Sequence, residues 1–325
     1  MNLGILLWNT CNAKCNHCAV NSSPTEKGYM TDEQIFALID AACENDVEPK
    51  IGLSGGEAFL YFERLCTIIK YAAKKYALVS VNTNGFWGKT LAIAVEKVRI
   101  IKEAGLKRLV VSIDDFHEEY INREAVLNVI KACKKVHLEV EIQFVATKKS
   151  RRLADFLKDC GDVLLNVSCR EIPCHPVGRA REKIEDNDLF LKDYIPDGLC
   201  PSAVLSVSAY GKVIPCCNTA GHLPSLQVGT IEQPLQNLYE KFLDDPTIQI
   251  LQTQGPKALL EAATEAGYVS RPDGYVDQCH LCYELFKDEN IACAVKEFAI
   301  NSTVDDFFQE FLQHYKSETI NATVN

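Results

Sequence analysis

The chain has 325 residues, 47% of them hydrophobic and 24% charged, which suits one large α/β unit or two domains around a substantial core. Its 44 acidic against 34 basic residues give a formal charge of −10, arguing against a nucleic-acid-binding face built to neutralise phosphates. No apolar run is long enough to span a bilayer, and the opening MNLGILLWNTCN lacks the basic region and cleavage site of a signal peptide.

Strand and helix signals alternate through the first half. LGILLWN (3–9) reads as a buried strand, and Thr31-Asp32 opens an amphipathic helix that runs to Ala42. KIGLSGG (50–56) is the second strand, with a helix from about Phe62 to Lys75. ALVSVNTNG (77–85) is the third, with its helix near Leu91–Ala104. KRLVVSIDD (107–115) is the fourth, with a helix near Glu118–Lys135. LEVEIQFVAT (138–147) and VLLNVSC (163–169) supply a fifth and sixth around a helix at Leu153–Lys158.

Six such units with near-continuous apolar strands predict a parallel sheet covered by helices. The polar and glycine-rich segments SGGE, NTNG and SIDDFH directly follow strands, so they share one face, where ligands of such folds bind. The polar stretch 178–198 breaks the alternation and reads as a boundary or lid. Beyond it, VLSVSAYGKVIPC (204–216) is hairpin-like, with Tyr210-Gly211 at the turn, and helical segments follow. The expected division is a barrel unit over 1–180, an α+β unit over 195–300 and a helical tail over 301–325.

Fifteen cysteines, an odd number without a signal peptide, point to the reducing cytoplasm, where clustered cysteines serve as metal ligands or reactive thiols. Cys43, Cys66, Cys133 and Cys160 lie among apolar helical residues and read as small buried hydrophobes. Cys11, Cys15 and Cys18 differ. They form a C-x3-C-x2-C loop directly after the first strand, one ligand short of a closed zinc or iron–sulfur site.

This loop, with SGGE on the next strand, resembles the radical SAM superfamily over roughly residues 3–175. The resemblance implies a partial (β/α)6 TIM-like barrel in which Cys11, Cys15 and Cys18 hold three irons of a [4Fe–4S] cluster. The fourth iron is then left to S-adenosyl-L-methionine (SAM). An electron from the reduced cluster splits the carbon–sulfur bond, and the 5′-deoxyadenosyl radical abstracts a hydrogen atom. The electron would come from a flavodoxin- or ferredoxin-type donor.

Residue by residue, Gly55, Gly56 and Glu57 resemble the motif that receives the methionine amino group, with Ala58 standing where the family has proline. His17 stands where an aromatic residue lies near the adenine, an ordinary loop histidine being the alternative. Asn82, Asn84, Ser112 and Asp114 resemble positions that touch the ribose or carboxylate. Asp115 and His117 share that rim and are candidates for substrate contact, as is Arg179 in PVGRA (176–180); solvated side chains are the alternative.

Cys200, then ten residues to Gly211, then four to Cys216, resembles the opening of a SPASM or Twitch auxiliary-cluster domain, which Cys279 and Cys282 of CHLC would close. The resemblance implies a second [4Fe–4S] cluster with no open iron, zinc in the same four thiolates being the alternative. Cys217 is left over. It reads as a bystander or as a hydrogen-atom donor to a substrate radical, a role for which Cys169, Cys174 and Cys293 compete.

SPASM and Twitch tails imply action on a ribosomally made precursor peptide, and the spare thiol favours an epimerase that turns an L residue into its D form. A thioether- or carbon–carbon-crosslinking maturase is one alternative. A Twitch-type dehydrogenase of a small-molecule alcohol is another. A non-enzymatic sensor would have no need of an open-iron triad. Because the sequence opens at the first strand, no N-terminal leader-binding domain is expected, and a peptide would be gripped by the barrel rim and the tail.

Overall fold

The computed structural model describes residues 2–43, 48–201, 203–216 and 220–302. The first half runs β1 (Leu3–Leu6), α1 (Asp32–Cys43), β2 (Lys50–Ser54), α2 (Phe62–Ala72), β3 (Leu78–Thr83), α3 (Leu91–Glu103) and β4 (Arg108–Ser112). A short α4 (Asp115–Glu118) precedes α5 (Arg123–Val136), β5 (Glu139–Ala146), α6 (Leu153–Cys160) and β6 (Ser168–Pro173). Then come α7 (Ala180–Lys183), β7 (Ser206–Val207), β8 (Lys212–Ile214), β9 (Gly229–Thr230), α8 (Leu235–Asp244), α9 (Pro246–Thr253), α10 (Leu260–Glu265) and α11 (Gln278–Phe286). A further helix covers 289–302, and the rest of the expected tail lies outside the described residues.

Among the described residues one nine-stranded sheet has the order β6-β5-β4-β3-β2-β1-β7-β8-β9. Strands β1 to β6 are parallel and neighbour one another in chain order. Successive right-handed crossovers in one direction place every helix on the same face, so the sheet curls into a partial barrel. The α/β partial-barrel class expected from the sequence is the one found.

The strands alternate more than their apolar composition suggested. In β5, Val140, Ile142, Phe144 and Ala146 are buried toward the helices, while Gln143 and Val145 face the barrel interior. At the interior Gly4, Gly52 and Ser80 are too small to fill the barrel, and a cavity of ≈720 Å³ remains.

One expectation needs correction. The sixth strand is 168–173, not 163–169. Val163-Leu164-Leu165 carries the apolar signal, but Gly161–Leu164 forms a 3-10 turn that buries Leu164 and leaves Leu165 exposed. Among the described residues β6 pairs only with β5, so as an edge strand it needs no continuous apolar run. The stretch 178–198, read as a boundary or lid, packs against the rest of the chain. Ala180 and Leu189 pack with Cys174 and Val276 in a small second core, and Arg271 pairs with Asp186.

The hairpin forms, with β7 and β8 antiparallel and Gly211 at φ +72° in the turn, where a side chain would be strained. β7 also pairs in parallel with β1, so the hairpin extends the barrel's own sheet. One hydrophobic cluster runs from Leu3 to Ala299 through both halves. No helix among the described residues is long and apolar enough to cross a membrane.

Candidate active site at the carboxyl ends of the strands

The chain leaving β1 is zipped to the chain leaving β2. Gly56 N donates to Trp8 O at 2.7 Å, Glu57 N to Thr10 O at 3.0 Å, and the buried Trp8 indole to Glu57 O at 2.8 Å. This approach explains the glycine pair. A Cβ on Gly56 would sit 2.1 Å from Thr10 O, and one on Gly55, at φ +145°, would sit 2.4 Å from Trp8 O.

The cysteine loop then closes on itself through Cys11 N to Ser23 O (3.1 Å), Asn9 N to Gly28 O (2.7 Å) and Ser22 Oγ to Asn9 Oδ1 (2.7 Å). Cys11 and Cys15 are buried and Cys18 is half-buried, and all three line the cavity. Burial pushes the Cys11 thiol up to about 12 and Cys15 higher still, so a bound cation is needed to hold them as thiolates. The donor set fits an iron–sulfur cluster: Ala13 N lies 3.4 Å from Cys11 Sγ and Asn84 Nδ2 3.9 Å, as donors to a sulfur ligand would.

Glu57 is placed differently from its expected role. Its carboxylate does not line the cavity; it accepts from Phe59 N (2.9 Å), Thr83 Oγ1 (2.7 Å) and Asn84 N (2.7 Å). Burial pushes its carboxyl up against those three donors. Asn84 lines the cavity, but its amide donates to Asn12 Oδ1 at 2.9 Å and its oxygen accepts from Phe86 N at 3.1 Å. Both residues therefore brace the cysteine loop. Gly55, Gly56, Asn82 and Ser112 line the cavity.

Asp114 also lines the cavity and is fully buried, 4.0 Å from the His17 ring of the cysteine loop. Its Oδ1 accepts from His117 Nδ1 at 2.9 Å and His117 N at 3.0 Å, and its Oδ2 from Val145 N at 3.2 Å. Burial raises the carboxyl, but His117, His17 and these hydrogen bonds outweigh it and hold Asp114 at about 2. His117 is lowered by burial and raised more by Asp114 beside it, so its net shift is upward. Burial drives His17 down to about 4, leaving it neutral between Phe116 and His117, with ring centroids 4.8 and 4.9 Å away. Its buried Nδ1 has no hydrogen-bond partner among the described residues, and it lines the cavity. The ligand atoms of His17, Asp114 and His117 lie within 4.8 Å of one another, but protein donors already engage both Asp114 oxygens.

Neither Asp115 nor Arg179 is free to meet a substrate. Asp115 binds Arg151 through both oxygens, and Arg179 is buried against loop carbonyls.

Cys200, Cys216, Cys279 and Cys282 are brought together. Burial first pushes both the Cys279 and Cys282 thiols up, followed by Asp277, Cys200 and Cys216 for Cys279 and by Cys216, Cys200 and Cys279 for Cys282. Cys279 and Cys282 share α11, whose N-terminus is capped by Asp277, accepting from Cys279 N (2.9 Å) and His280 N (3.1 Å). Asp277 also binds His175 at 2.8 Å, and His175 lines the cavity, so one hydrogen-bonded pair links the two cysteine groups. The sequence reading missed His175, whose signal was its place just after a strand.

Cys217 lies outside the described residues. Cys174 is the described thiol outside the triad that lines the cavity, and burial keeps it protonated by pushing it up to about 12. Cys169 donates to Val167 O and is absent from the cavity wall, while Cys293 is exposed. Cys133 and Cys160 are buried as expected, Cys66 is half-buried, and the Cys43 side chain is outside the described set.

Residues 5–160 match the model of the radical SAM superfamily. This stretch is a radical SAM domain. The chain is 27% identical over 295 residues to YydG of Bacillus subtilis (strain 168), which carries a provisional peptide-biosynthesis name, covering 87% of this chain and 91% of that protein. It is 31% identical over 137 residues to the antilisterial bacteriocin subtilosin biosynthesis protein AlbA of the same strain, covering 41% of this chain and 29% of AlbA. It is also 31% identical over 185 residues to GTP 3′,8-cyclase of Aquifex aeolicus (strain VF5), covering 50% of this chain and 54% of the cyclase. The solved structure of native anSMEcpe with bound AdoMet shares the fold at a TM-score of 0.56 and 16% identity, covering 93% of this chain and 98% of that one.

Proposed function

We propose that this radical SAM enzyme modifies a ribosomally made precursor peptide and inverts an α-carbon, converting an L residue to its D form. The observation that carries the radical chemistry is that the C-x3-C-x2-C loop presents three cysteines, one ligand short of a closed site, to an open cavity of ≈720 Å³. The likeness to YydG along most of both chains, and to AlbA over 137 residues, supports a peptide as substrate.

Cys11, Cys15 and Cys18 would hold three irons of a [4Fe–4S] cluster, and Cys200, Cys216, Cys279 and Cys282 a second cluster. When bound, the first cluster and SAM supply a hydrogen-abstracting 5′-deoxyadenosyl radical. The chain's own part is placement and shielding. The Gly55-Gly56 backbone would receive the methionine end, while Asn82, Ser112 and the unpartnered His17 Nδ1 would receive the nucleoside. Asp114 orients His117 at the cavity wall, where its ring would meet an anionic or carbonyl oxygen.

The substrate α-carbon loses one hydrogen atom on one face and takes one from the Cys217 thiol on the other. The resulting thiyl radical is returned to thiol by one electron from a flavodoxin- or ferredoxin-type donor and one solvent proton. The first test is anaerobic reconstitution. About eight irons and SAM cleavage are expected, falling to about four irons and no cleavage when Cys11, Cys15 and Cys18 are all changed to alanine. Stoichiometric zinc without iron–sulfur absorption would overturn the reading.

A further inference from the structure

We propose that the segment Val177–Ala180, which follows β6, is a clamp on the cysteine loop, with Arg179 as its positioning residue. More than 150 residues of chain separate the two, yet they are joined backbone to backbone and side chain to backbone. Arg179 N donates to Cys18 O at 3.0 Å. The guanidinium donates to Cys15 O at 2.8 Å, Asn21 O at 2.9 Å and Ser22 O at 2.7 Å. One rigid fork thus ties the middle of the triad to the loop's return. A lysine ammonium would not reproduce it, being a single point of charge.

Gly178 makes the approach possible. At φ +52° it lies where a side chain is strained, and a Cβ would fall 2.3 Å from Ala19 O and 2.6 Å from Cys18 O. Val177 and Ala180 are buried on either side and anchor the clamp to the core.

The clamp also carries charge. Arg179 is buried, and among the described residues no carboxylate pairs with it. Carbonyl oxygens solvate such a cation only in part, and an unpaired buried charge is costly. Resting on the cluster assignment proposed above, the anion that completes the pairing is the thiolate-ligated cluster on the same loop. Arg179 therefore makes that cluster easier to reduce as well as fixing its loop.

Amide hydrogen exchange on the metal-free full-length chain tests the clamp without any cluster. Arg179→Gln and, separately, Gly178→Ala should speed exchange across residues 11–23 by about tenfold or more, the loss of a charge-assisted bond, with α5 unchanged. Arg179→Lys should loosen the loop too. In reconstituted protein, redox titration followed by paramagnetic resonance should move the first cluster to more negative potential in Arg179→Gln but not in Arg179→Lys. Unchanged loop exchange in both Arg179→Gln and Gly178→Ala overturns the clamp, and equal potentials in the two arginine variants overturn the charge role. Should Arg179→Gln unfold, Arg179→Lys and Gly178→Ala decide the first question. A wild-type chain that takes up no iron would sink the proposed function, while the exchange result still judges the clamp.

Discussion

Glu57 and Asn84 are joined by a 2.7 Å hydrogen bond from the Asn84 backbone N–H to Glu57 Oε2, which ties the turn after β2 to the end of β3. The carboxylate of SGGE is thereby a structural brace. Asn84 in turn holds Asn12, so the brace reaches the cysteine loop.

Glu57→Ala leaves three buried donors without an acceptor, which costs about 3 kcal/mol, and Glu57→Gln costs less because one acceptor oxygen remains. Chemical unfolding of the metal-free chain measures this. In folded, fully loaded Glu57→Ala protein, SAM affinity should fall by less than about tenfold. A much larger loss of affinity with an unchanged unfolding midpoint would show that the carboxylate contacts the ligand after all.

Asp114 makes stability depend on pH. Its carboxyl is lowered from 3.8 to about 2, so it contributes stability at higher pH that is lost as pH falls through the folded value. The metal-free chain should lose on the order of 2 kcal/mol over that interval, and Asp114→Asn should remove that part of the curve. His117 runs the opposite way. Its raised pKa gives stability that is full below 6.5 and is lost as pH rises past the folded value. Urea midpoints against pH for the two proteins test this, and parallel curves would contradict it.

The barrel was legible because its units repeat: an apolar strand, a polar or glycine-rich turn and an amphipathic helix recur through β5. The triad and the CHLC group were legible because ligand spacing is local in sequence. What escaped was long-range. Arg179 read as a candidate for substrate contact, or else a surface arginine, because the carbonyls it binds lie on a loop far upstream. The His175–Asp277 pair joins residues 102 apart, and no local pattern announces it. Glu57 was misplaced because a motif names a residue type, whereas its three donors come from the turn and from β3.

The four auxiliary cysteines should separate radical formation from product formation. Cys279 and Cys282 lie on one helix, so changing both to alanine removes two ligands of a single site. Iron should drop from about eight to about four, with 5′-deoxyadenosine still released but uncoupled from product. Normal product formation with four irons would make the second cluster dispensable.

Turnover of the precursor peptide in heavy water tests the central claim most directly. Inversion with quenching by an exchangeable thiol predicts one deuterium on the product α-carbon and a D residue on hydrolysis. Cys217→Ala should still bind both clusters and cleave SAM without delivering that residue, while Cys174→Ala should still deliver it. A product lighter by two hydrogens would contradict the account, showing a crosslink or an oxidation in place of an inversion.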